Sequence, residues 1–136
     1  MKRPIRKNSY KKASQSELQG LTQYALTMKL MKEMLRRLEQ CEFAFKSTEI
    51  RKTSKFFEIK CDTLGRVIRI ARYLIDTTDV SADQEIGELF IKMYTFVYVK
   101  TSDANISVSA HSLFLAKDMV IRLIDIWNSI PEKDRV

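Results

Sequence analysis

SELQGLTQYALTMKLMKEMLRRLEQCEFAFK, residues 16–46, is the stretch on which the fold turns. Leu18, Leu21, Ala25, Met28, Met31, Leu35, Leu38 and Phe45 recur at spacings of three and four, with Glu42 the single break. That period puts them on one face of a helix. Leu, Met, Lys, Glu and Arg fill residues 28–39, and all of them favour helix. Gly (3) and Pro (2) are scarce in the 136 residues, so few turns are written and long helices follow more easily than many strands.

Three further segments repeat the pattern. Residues 49–76 carry a stripe of Phe57, Cys61, Leu64, Ile68, Ala71 and Ile75, with Gly65 inside it. A glycine there costs about 1 kcal/mol relative to alanine, which a close helix approach would offset. Ser81-Ala82-Asp83-Gln84 fits a capping box, with Ser81 as N-cap, before a stripe of Ile86, Phe90, Met93 and Val97. TFVYVKT, residues 95–101, is β-branched and aromatic and locally favours strand. A lone strand among helices would lack a partner, so helix is expected there. Ser109 suits an N-cap for a last helix with Leu113, Ala116, Val120, Leu123, Trp127 and Ile130, closed by Pro131. The expected fold is all-α: an antiparallel up-down four-helix bundle over residues 16–131 with a short mobile basic N-terminal tail, 1–15, and a C-terminal tail, 132–136.

The charge is unevenly placed. Of the formal +7, residues 1–12 supply +6 through Lys2, Arg3, Arg6, Lys7, Lys11 and Lys12, leaving 18 basic and 17 acidic residues in the body. A nucleic-acid-binding bundle is the alternative that this arm suggests, but the body lacks an interleaved basic and aromatic face. A structural oligomer subunit is another alternative. No apolar run is long enough to span a bilayer. With no secretory leader in view, Cys41 and Cys61 are expected to be reduced, buried thiols of a cytoplasmic protein.

Catalytic chemistry finds no support. There is no Gly-rich phosphate loop, no HExxH and no CxxC, and His111 is alone. No catalytic residue, metal site or cofactor is expected. Apolar residues exceed one stripe per helix, however. Phe56, Val67, Ile70 and Leu74, then Ile91, Tyr94 and Tyr98, then Leu115, Met119 and Ile126 lie beside the core positions. Such a surplus fits either broader burial or a groove for an amphipathic partner helix. Tyr94 and Tyr98, one turn apart, could form one aromatic patch.

Several of these segments resemble the FliS family of flagellin export chaperones over residues 26–131. Glu85-Ile86-Gly87-Glu88-Leu89-Phe90-Ile91-Lys92-Met93-Tyr94 is similar to the run opening the family's third long helix. Ala104-Asn105-Ile106, Ile124-Asp125-Ile126-Trp127 and Leu38-Glu39-Gln40-Cys41 resemble further family motifs, and Ser9-Tyr10 and Ala13-Ser14 its lead-in. Met31-Lys32-Glu33 stands where the family has Tyr-Asp/Glu-Gly, and the basic tail departs from the pattern. The resemblance implies a cytoplasmic chaperone that binds the disordered C-terminal segment of flagellin, or a related secreted flagellar protein. It would block premature polymerisation and hand the client to the export gate, without a cofactor. Together with the surplus stripe it makes Tyr10, Phe56, Ile70, Ile91, Tyr94, Tyr98 and Met119 the expected partner-binding residues.

Overall fold

The computed structural model describes residues 21–136. Those residues form α1 (Gln23–Lys46), α2 (Thr48–Arg51), α3 (Lys55–Thr77), α4 (Gln84–Ser107) and α5 (Ala110–Asn128), followed by a 3-10 turn, Glu132–Asp134. No strand occurs among them. The β-prone residues 95–101 are helical because Val97 and Thr101 are fully buried in α4, and that packing outweighs local preference.

Most helix starts are written in short polar side chains. Thr22 accepts the Ala25 N–H at 3.0 Å, and Ser109 accepts the Ser112 N–H at 3.0 Å, as its position suggested. Ser81 is not the cap of α4. Asp83 takes that place, accepting the Ile86 N–H at 3.1 Å, while Ser81 turns back to donate its hydroxyl to Asp79 at 2.7 Å. The segment expected as one helix from residue 49 is divided. Ser47 caps the single turn of α2, and the chain re-enters helix at Lys55. Arg51 clamps this corner, its guanidinium 4.7 Å from the Phe56 ring centre and its Nη1 donating to the Phe45 carbonyl at 3.1 Å.

Each long helix packs on two others: α1 on α3 and α5, and α4 on the same pair. Cross-contacts fix the directions. Arg66 and Arg37 of α3 and α1 reach Glu33 and Asp62 of the opposite helix, so those two run antiparallel. Lys60 meets Asn105 and Arg72 meets Tyr98, which does the same for α3 and α4. Tyr24 with Trp127 and Glu42 with Lys117 orient α1 against α5.

Met31, Met34, Leu38, Leu64, Val67, Ile70, Val97, Val120 and Leu123 fill the centre with essentially no exposure. Burying one such side chain contributes about 1.5–3 kcal/mol. Of the stripe expected for α5, Leu113, Ala116, Val120 and Leu123 are buried, whereas Trp127 is half-buried and Ile130 lies beyond the helix. In α3 the observed stripe is Phe56, Lys60, Thr63, Leu64, Val67, Ile70, Ala71 and Leu74: Leu64 and Ala71 are buried as expected, whereas Phe57, Cys61, Ile68 and Ile75 give way to the residue before each. Phe57 is more than half exposed, and Cys61, expected inside, is also exposed. Gly65 makes no close helix approach, since a Cβ there would meet only the Arg69 Nη1 at 3.5 Å.

Candidate functional site

The first turns of α1 and α4 and the last turns of α3 and α5 meet at one end of the molecule. There they enclose a pocket of about 540 Å³. Tyr24 and Trp127 stack with ring centres 5.8 Å apart and planes within 8°, and the Trp127 indole N–H donates to the Tyr24 carbonyl at 3.1 Å. Phe90 stands edge-on to Trp127 at 5.3 Å and neighbours Tyr94 at 6.1 Å. Leu74 and Ile130 extend the apolar lining, and Ile86 is half exposed at its border. Burial pushes the Tyr94 phenol far above its ordinary range, so it stays neutral at any physiological pH.

Gly87 makes the α4 wall possible. A Cβ at this position would lie 2.7 Å from Val80 Cγ1 and 2.9 Å from Val80 Cα, so the α3–α4 connection passes directly over it. Across the mouth, residues after α5 fold back. Arg135 lies over the Tyr24 ring at 4.8 Å and donates to the Ile130 carbonyl at 2.9 Å and the Asn128 carbonyl at 3.1 Å. The Val136 main-chain oxygen accepts the Tyr24 N–H at 3.1 Å. A wall of rings with main-chain polar groups already paired can receive apolar side chains of a peptide. Among the described residues no group of His, Cys, Asp or Glu is placed to hold a metal ion, and His111 is exposed at the start of α5.

A second, more open groove of about 610 Å³ runs between α1, α2 and α3 beside Phe43, Ile50 and Ile59. Phe43 is 69% exposed. Its border is charged: burial tends to raise the Glu33 carboxyl, but hydrogen bonds from Arg36 and Arg37 hold it below its ordinary value.

The family model described as "Flagellar protein FliS" matches residues 6–134, nearly the whole chain. The chain belongs to the FliS family. Comparison with curated proteins and with solved structures gives no match. FliS proteins are flagellar export chaperones that bind flagellar proteins, and the family is not one of enzymes. No helix among the described residues is long and apolar enough to cross a membrane.

In this FliS chain the residues expected to bind a partner are scattered. Phe56, Ile70 and Tyr94 are at most 3% exposed and serve the core, so the surplus stripe on α3 is the core stripe itself. Phe56 packs against Phe45 and lies under Arg51. Tyr94 alone of the set also lines the end pocket. Ile91, Tyr98 and Met119 are half-buried. The Tyr98 hydroxyl accepts from Arg72 Nη1 at 3.2 Å, so Tyr94 and Tyr98 form no shared outward patch. Tyr10 lies outside the described residues. Sequence reasoning missed Tyr24, Ile86 and Phe90 as pocket residues and took Trp127 for core, whereas its ring is half-buried. The signal was there in one respect: Phe90 and Trp127 are expected stripe residues that fall near helix ends.

Proposed function

We propose that this FliS-family chain holds the C-terminal segment of flagellin in the cytoplasm, keeps it from polymerising, and delivers it to the export gate. The family supplies the class of client. The observation that carries the reading to a site is the ring-lined end pocket of Tyr24, Phe90, Tyr94 and Trp127. A disordered segment must offset the cost of its own ordering when it binds, and it does so by burying large apolar area. The pocket offers such area in one place. We read residues 16–131 as one up-down antiparallel four-helix bundle that carries this surface, with 1–15 as a basic tail and 132–136 as a short C-terminal one. Ile91, Tyr98 and Met119 remain candidate contacts on its flanks.

Purified protein mixed with the C-terminal segment of flagellin from the same cell should elute as one soluble complex. Calorimetry should give a negative heat-capacity change, the mark of apolar burial. Filament assembly from intact flagellin should slow. A segment left unbound at micromolar concentrations, with assembly undelayed, sinks the reading.

A further inference from the structure

α4 buries Gly87, Tyr94, Val97, Thr101 and Ala104 against its neighbours. Its opposite face is apolar as well. Leu89, Val99 and Ile106 are 53%, 50% and 82% exposed, and Phe96 among them is half-buried. α1 is built otherwise over most of its length, with Lys29, Lys32, Arg36 and Gln40 at exposed positions. A helix apolar on both faces is one that packs on both. The described chain covers only the inner face of α4.

The outer residues have a strict order. Positions 89, 92, 96, 99, 103 and 106 are separated alternately by three and four, which makes one straight stripe along the helix. The stripe reads Leu89, Lys92, Phe96, Val99, Asp103, Ile106. Laid antiparallel on a copy of itself, with a two-fold axis between residues 97 and 98, it matches at every step. Leu89 meets Ile106, Lys92 meets Asp103, and Phe96 meets Val99, each twice. The one base and the one acid of the stripe thus fall opposite each other. A parallel pairing sets Lys92 on Lys92 and Asp103 on Asp103. A slip of seven residues either way separates base from acid and sets one of them on Phe96 or Val99. Lys92 is exposed and has no ion pair or hydrogen bond among the described residues. Asp103 accepts from the Ser107 and Ser112 hydroxyls, which fix the carboxylate without neutralising it. Lys100, one turn before it, stands over the Phe96 ring at 5.6 Å.

We propose that the outer face of α4 pairs two copies of this chain, antiparallel about that two-fold axis. Closed two-fold pairing uses the same patch on both copies, and a self-matching stripe supplies it. The stripe is about 26 Å long and about 10 Å wide. That is less than the roughly 800 Å² that each partner of a stable complex buries, so the dimer is reversible and depends on concentration. None of the six residues lines the end pocket, so the pairing does not rest on the chaperone reading.

Sedimentation velocity of the whole chain across the micromolar range should show the mass rising from one copy to two. Val99→Glu changes an exposed position of the monomer but puts two carboxylates beside the axis. It should weaken the dimer by about tenfold or more, with the circular-dichroism spectrum unchanged. Lys92→Glu sets acid on acid, and Asp103→Lys sets base on base. Each should weaken self-pairing roughly tenfold, since surface pairs are individually weak but each occurs twice. An equimolar mixture of these two variants should recover pairing to within about threefold of the parent, because each meets the opposite charge on the other. Damage to the fold by Asp103→Lys, which removes the acceptor of two hydroxyls, cannot produce that recovery. A parent that stays monomeric throughout, a dimer indifferent to Val99→Glu, or a mixture no tighter than its components would each overturn the proposal. So would a dimer that forms only once residues 1–20 are removed, which gives the face to that segment. A monomeric parent that loses a flagellin segment through Val99→Glu gives the face to the client and overturns it too. A monomeric parent that still binds the segment defeats the pairing and leaves the chaperone reading standing.

Discussion

Glu42 of α1 and Lys117 of α5 meet at 2.8 Å, joining two helices through residues 75 apart in the chain. Lys46 approaches the other Glu42 oxygen at 3.5 Å. In the sequence Glu42 is the one polar residue in an apolar stripe, and this pairing explains its tolerance there. The hydrogen bond from Lys117 holds its carboxyl below the ordinary value of 4.5. A carboxylate with a depressed folded-state pKa contributes stability above its unfolded value and loses it as pH falls through the folded one. Glu33 acts in the same direction. Thermal stability should therefore decline from about pH 4.5 downward, and Glu42→Gln should make the melting temperature less sensitive to pH in that range. An unchanged acid limb in the variant would show that the pair contributes nothing to it.

The two described helical glycines should respond oppositely to alanine. Gly87→Ala drives a Cβ into Val80, including its backbone, and should cost about 1–3 kcal/mol. Gly65→Ala meets ordinary contact only and gains helix propensity, so it should stabilise by up to about 1 kcal/mol. Urea melts of the two variants beside the parent give the comparison, and equal midpoints would contradict it.

Tyr94 and Tyr98 separate packing from surface. Tyr94→Ala empties a buried site and should lose about 3–5 kcal/mol. Tyr98→Phe removes only the bond to Arg72, worth about 1 kcal/mol or less. Differential scanning calorimetry should rank them in that order.

The cysteines should differ by more than exposure. Thiolate is the reactive form, and burial pushes the Cys41 thiol up to about 11 whereas Cys61 lies at the surface. An aromatic disulfide reagent should titrate one thiol promptly in the native protein and the second only as the protein opens. Two fast thiols would mean that α1 is not packed as described.

Legibility in the sequence followed the clarity of spacing. The α5 stripe could be read because Leu113, Ala116, Val120 and Leu123 keep an unbroken spacing of three and four with a serine cap before it. In α3, Phe56-Phe57 and Val67-Ile68 set apolar residues side by side, and two stripes one residue apart compete. The buried frame puts Lys60 inside and Cys61 outside, the reverse of what their side chains suggest. Lys60 is nevertheless 5% exposed, because its ammonium ends on the Asn105 carbonyl at 2.7 Å and its side-chain oxygen at 2.6 Å. Its stem packs like an apolar chain while its head finds acceptors at the α4 C-terminus. The pocket was harder still. Its walls come from the ends of four helices, two starts and two finishes, and periodicity within one helix carries no trace of which ends converge.

That convergence also sets when the site comes into being. Neighbouring helices in the chain can pair after closing short connections, but the Trp127 indole bonds to Tyr24 across 103 residues. Contacts of such separation carry the largest loop-closure cost and are met only once the intervening chain is compact. The ring-lined wall therefore requires both ends of the described chain to be in place. On the proposed function, a chain in which α1 and α5 had not yet met would offer a client no ring-lined wall, so capture would follow completion of the fold.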